Sequence, residues 1–202
     1  MRIDQNVGCD RFPCDDVNHD CYVIPEIDLN PADVSIVLIS EAAPRELADY
    51  YYAPGHPLFQ QTTVQAFQDA GADVGSIGDI LNLGVYLTTA VKCGKTGYGV
   101  KAATIKTCSH LLERELGFFP GAKAFLLMGD VAIKAINYIS NRAGHGRAIP
   151  AGSTYKIRGG DYRFRGLPAF PSYLQAGPSF FIEKSKRRMI AQDIGAALRL
   201  AG

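Results

Sequence analysis

The sequence predicts an α/β protein, a three-layer α/β/α arrangement in which helices cover both faces of a central, mostly parallel four-stranded sheet. Three observations carry this prediction. Short apolar runs alternate along the chain with segments of helical periodicity, and repeated strand–helix units build parallel sheets that are covered on both sides. Turn and cap residues punctuate each run. Of the 202 residues, 47% are hydrophobic, enough to bury a full core without disulfide staples. A single domain spanning 1–202 is expected, since one domain typically takes about 100–200 residues.

The elements follow in order. Val34-Ser-Ile-Val-Leu-Ile-Ser40 is a short apolar run entered from Asn30-Pro31, and is expected to be a buried strand. A helix is expected over 59–70, stopped by Gly71. Val85-Tyr-Leu-Thr-Thr-Ala-Val91 is β-branched and aromatic, the second strand. Over 101–116, Ile105, Cys108, Leu111, Leu112 and Leu116 recur at helical spacing before Gly117. Ala122-Lys-Ala-Phe-Leu-Leu-Met128 is the third strand, followed by a helix for which Asp130 is the expected N-cap. The Gly-rich stretch 140–166 reads as loop with a hairpin around Gly159-Gly160, then a last strand over 166–170. A final helix over 181–200 aligns Ile190, Ile194 and Leu198. In such a fold, sites form at the carboxyl ends of the strands, here Ser40-Glu41, 89–93, Gly129-Asp130 and 170–172.

The N-terminus has neither the basic start nor the apolar run of a signal peptide, and no window approaches the ~20 apolar residues of a membrane span. The expectation is a soluble, cytoplasmic protein without a membrane partner, and a monomer. Five cysteines in a reducing compartment are then either buried thiols or metal ligands. Cys9, Cys14 and Cys21 lie in a segment full of turn formers, and Cys93 opens a Gly-rich loop, positions that make poor core filler. Loop-borne thiolates from two distant segments suit a tetrahedral zinc or an iron–sulfur cluster, and the spacing does not choose between them.

Net charge is +1, so affinity for nucleic acid would rest on local patches. Lys156, Arg158, Arg163 and Arg165 are interleaved with Tyr155, Tyr162 and Phe164, a mixture suited to phosphate contact and base stacking, or equally to a solvated hairpin face. Lys184-Ser-Lys-Arg-Arg188 opens the last helix, where cations oppose the macrodipole; phosphate contact is one justification. The run Tyr50-Tyr51-Tyr52 would line a pocket or pack beneath the loop.

A series of motifs now falls in order. Ile39-Ser40-Glu41-Ala42-Ala43-Pro44 resembles the G-E-A-P-G segment of family 4 uracil-DNA glycosylases, and Gly55-His56-Pro57-Leu58-Phe59 resembles their G-x-P-F. Tyr86-Leu-Thr-Thr-Ala-Val-Lys-Cys93 is similar to their Y-I-T-N-V-V-K-C, Leu126-Leu-Met-Gly129 to their L-L-G, and Phe170-Pro171-Ser172-Tyr173-Leu174-Gln175 to their H-P-S-Y-L-L. The resemblance runs from about Cys9 to the C-terminus. It implies the uracil-DNA glycosylase-like fold and a [4Fe–4S] cluster held by Cys9, Cys14, Cys93 and Cys108, with Cys21 a competing ligand and 1–30 the cluster-binding segment. The cluster would pin that segment and the loop after the second strand, presenting Lys92 and Lys95 to phosphate.

The resemblance further implies a DNA partner, single- or double-stranded, from which a base is flipped before its N-glycosidic bond is hydrolysed. Phe59 would stack on the base, Ser40, Ala42 and their neighbours up to Pro44 would line the sugar and water side, and Leu174-Gln175 would wedge into the duplex. Glu41 is the catalytic candidate, orienting water or steadying positive charge on the sugar; the alternative is that it caps the following backbone. Two substrate-side positions depart from the family: Thr89 stands where an Asn would read uracil, and Phe170 where a His, next to Ser172, would stabilise the leaving base. His56 or His145 could supply the missing donor; the alternative is that each is a solvated loop residue. The expected function is removal of uracil or another deaminated or altered base in DNA repair; the alternatives are a catalytically inactive or weakly active, nucleic-acid-binding iron–sulfur relative and a cluster-bearing protein acting on a free nucleoside or other small ligand.

Overall fold

A computed structural model describes residues 1–201. Its strands are β1 (Val17–Asn18), β2 (Ile36–Ala43), β3 (Val85–Lys95), β4 (Ala124–Met128), β5 (Arg163–Phe164) and β6 (Leu167–Ser172). The helices are α1 (Leu58–Asp69), α2 (Ile77–Asn82), α3 (Ala102–Leu116), α4 (Asp130–Arg142), α5 (Thr154–Ile157), α6 (Ser179–Ile182) and α7 (Lys184–Ala201). One sheet runs in the order β1-β3-β2-β4-β6-β5. It therefore has six strands rather than the four expected. The four apolar runs are its parallel centre, and the added strands are two-residue antiparallel edges too short to leave a periodic signal.

Alternation along the central strands divides the core. Val37, Ile39, Tyr86, Phe125 and Leu127 face α3 and α4, whereas Ile36, Leu38, Val85, Leu87 and Leu126 face the side covered by α1, α2 and α7. Every one of these side chains is buried, as expected for a parallel sheet sandwiched between helices. The tyrosine run packs beneath its loop rather than lining a pocket. Tyr50 and Tyr51 are buried, and the Tyr52 hydroxyl donates to the Leu87 carbonyl (2.9 Å) while accepting from its amide (3.2 Å), pairing backbone groups on the edge of β3.

Three local expectations are corrected. Asp130 is the first residue of α4 and not its cap; the cap position belongs to Gly129, whose φ of 97° and ψ of 166° lie where only glycine is comfortable. The hairpin turn falls at Arg165-Gly166, because Phe164 pairs with Leu167 and both turn residues have positive φ (52° and 79°), the geometry of a type I′ turn. Gly159-Gly160 precedes it in a loop beyond α5. Lys92 is not offered to phosphate but is fully buried, donating to Glu115 (2.5 Å), Thr88 Oγ1 (2.7 Å) and the Thr89 carbonyl (2.6 Å). Tyr86 and Thr88 complete the shell of the Glu115 carboxylate. Among the described residues, no helix is long and apolar enough to cross a membrane.

Candidate functional site

The site begins with an irregularity where β2 and β3 end. Ser40 pairs with Thr89 and Ala42 with Val91, but Ala43 pairs with Gly94, so Lys92 and Cys93 bulge out of register. Bulges re-aim side chains. Lys92 keeps the alternation of Tyr86 and Thr88 and points with them to Glu115, while the two-residue shift brings Lys95 beside Glu41, with its Nζ 3.0 Å from Oε2. Gly94 is required at the crossing, since a Cβ there would stand 2.6 Å from Cys21 Cβ and 2.9 Å from the Pro44 carbonyl oxygen. Gly129 does the same for Glu41, whose Cγ would be 2.7 Å from any Cβ at that position. Glu41 does not cap the backbone that follows: among the described residues its hydrogen-bond partner is Lys95.

Two cavities meet at Glu41 and Leu174. The larger, ≈ 340 Å³, is lined by Glu41, Ala42, Phe59, Lys95, Leu174 and the Ala176–Pro178 stretch among others. The smaller, ≈ 240 Å³, adds Asp130, Tyr173, Lys186 and Arg187. Phe59 projects from the first turn of α1 and packs its ring against Tyr51 at 5.3 Å, so the aromatic face beside the cavity is held from behind. A carboxylate, an ammonium, an aromatic ring and an aliphatic rim thus share one opening at the carboxyl ends of the strands.

The other proposed substrate contacts lie elsewhere. Ser40 and Thr89 are wholly buried beneath the cavity floor. Ser40 accepts from the Tyr51 hydroxyl (2.5 Å) and donates to the Thr88 carbonyl (3.2 Å), while Gln175, also buried, donates to Tyr51 (2.9 Å). Gln175 therefore braces the floor and is no wedge; Leu174 alone stands at the rim. Ser172 donates to Asp193 (2.6 Å), which Arg158 also holds (2.8 Å). Burial pushes the Asp193 carboxyl above its usual range in spite of both donors. Phe170 pairs with Leu126 in mid-strand and lines a separate cavity with Leu200. Neither His56 nor His145 lines either cavity at Glu41. Two buried atoms here have no partner among the described residues, Thr89 Oγ1 and Gln175 Oε1.

The chain is distantly similar to a uracil-DNA glycosylase. The relative is the type-5 uracil-DNA glycosylase of Thermus thermophilus, 27% identical over 128 residues, which cover 62% of this chain and 55% of the relative. The chain thus spans about half the length of that curated relative. No family model matches the chain.

A third cavity, ≈ 260 Å³, is lined by Cys9, Cys14, Cys93 and Cys108, together with His19 and Tyr22. Cys21 is not among its walls; its thiol donates to the Arg45 carbonyl (2.9 Å) on the other side of the β3 end. His19 carries no motif that would single it out in the sequence. Its Nε2 lies 2.7 Å from the Cys14 carbonyl oxygen and its Nδ1 3.3 Å from Cys93 Sγ, so a neutral ring donates through Nε2 and accepts through Nδ1. Burial, reinforced by the neighbouring thiols, pushes Cys93 up to about 12 and Cys108 up to about 11. Among the described residues, no three His, Cys, Asp or Glu side chains converge closely enough to share one metal ion. What the four sulfurs share is a cavity, and thiolates are the donors of zinc and iron–sulfur sites alike.

Proposed function

We propose that this protein is a DNA glycosylase that hydrolyses the N-glycosidic bond of uracil or another deaminated or altered base. The observation that carries this is Glu41, a carboxylate fixed by Lys95 and Gly129 at the junction of two cavities, with the Phe59 ring on one wall. A base flipped into the larger cavity stacks on Phe59, and the sugar lies along 41–44, where Glu41 orients the attacking water and accepts its proton. Leu174 at the rim fills the space the base vacates. The distant similarity to a uracil-DNA glycosylase supports the reaction class. The loss of polar readout at Phe170, and the burial of Thr89, favour a base other than uracil or a slow uracil enzyme.

The four cavity thiols are proposed to hold a [4Fe–4S] cluster. Bound there, it supplies a covalent tie between the N-terminal segment, the end of β3 and α3; the thiols would bind as thiolates, which the metal charge favours over their raised values. The test of the activity is incubation with duplex and single-stranded DNA carrying uracil, hypoxanthine or xanthine, scored by alkaline cleavage at abasic sites. At least one base is released, and Glu41→Gln slows release by about 10²–10⁴-fold. Salt-sensitive DNA binding without any abasic product would replace this reading with that of a non-catalytic relative.

A further inference from the structure

We propose that Lys95 is the cation that stabilises the departing base, the electrostatic counterpart of Glu41 on the wall of the same cavity. This rests on the glycosylase reading. Breaking the bond from C1′ to the base nitrogen leaves the electron pair on the base, and a site without a facing donor forfeits one of the largest contributions to such catalysis. Phe170 lines another cavity, His56 and His145 line neither, and Lys92 is buried with all three N–H groups engaged. In the smaller cavity, Lys186 and Arg187 are paired to Glu183 and Asp69.

The larger cavity has two cations. Arg45 is exposed and donates to the Thr96 carbonyl (2.7 Å). Lys95 is three-quarters covered, with Glu41 its hydrogen-bond partner among the described residues, so two of its three N–H donors remain for a ligand. Its placement is built into the fold. The β3 bulge aims it, pairing with Val17 of β1 holds its backbone, and Gly94 allows the close crossing. In the reaction, the water oxygen bonds to C1′ and its proton passes to Glu41. Lys95 stays an ammonium throughout, donating to the base carbonyl oxygen that gathers the negative charge, and the freed base takes its proton from solvent.

The test compares single-turnover release by wild type, Lys95→Met and Lys95→Arg. The substrates are DNA bearing the base that wild type removes and DNA bearing the same base with an electron-withdrawing substituent; for uracil this is 5-fluorouracil. Lys95→Met is expected to slow the parent base by about 10²–10³-fold and the better leaving group distinctly less, with Lys95→Arg recovering part of the loss. Equal losses on both bases would mean that Lys95 only positions Glu41 or the DNA, and unchanged rates that it does neither; either overturns the proposal, provided the melting temperature shows Lys95→Met folded, with Lys95→Gln measured in its place if not. Wild type that releases no base overturns the glycosylase reading itself, a result distinct from both.

Discussion

Glu41 keeps its place because its neighbour has no side chain. Gly129 holds a backbone conformation open to glycine almost alone, and a methyl group there would collide with the Glu41 side chain. Gly129→Ala should therefore cost about 1–3 kcal/mol of stability, read as a lower denaturant midpoint. It should also lower base release more than that loss of stability explains, because the carboxylate must move. At this scale the sequence motifs identified Glu41, Phe59, Ala42 and Leu174, and these four come together. The same motifs named Ser40, Thr89 and Ser172, which point into the protein, because neighbouring residues on a strand face opposite sides and a motif does not say which side is open.

The basic start of α7 is explained between elements. Arg187 binds Asp69 at the end of α1, with one N–H 2.7 Å from Oδ1, and lies over the Phe180 ring at 5.3 Å. Lys186 pairs with Glu183 and sits over Tyr173. These cations clasp helices to one another, and Arg158 likewise ties the loop after α5 to α7. The Arg187 hydrogen bond holds the Asp69 carboxyl below its ordinary value of 3.8. A carboxyl depressed in the folded state contributes stability that is complete above its unfolded value and disappears as pH falls through the folded one. Asp69→Asn should thus lower stability by up to about 1 kcal/mol near neutrality, and urea melts should show the difference from wild type closing below about pH 4. Helix positions were legible because apolar residues recur at helical spacing. The partners of the charges were not, since Asp69 and Arg187 are 118 positions apart.

Across the whole molecule, the thiol cavity and the Glu41 cavity lie on either side of one strand end, with Cys93 in the first and Lys95 in the second. Anything that fixes the N-terminal segment against β3 therefore also fixes the cation beside Glu41. Anaerobically purified protein should contain iron and acid-labile sulfide in equal amounts. Cys108→Ser should lose both and open the 1–30 segment to protease, and full protease resistance in iron-free protein would refute the structural role. The sequence by itself determined four parallel strands between helices, because burial and turn chemistry leave periodic, local marks, and its motif resemblance singled out Glu41, Phe59 and four cysteines that line cavities here. Only the tertiary structure decided that Lys92 is interior, because the carboxylate that pairs with it comes from Glu115 on α3, and that Lys95 faces Glu41, because the bulge that slides the end of β3 along β2 is set by what packs against both strands.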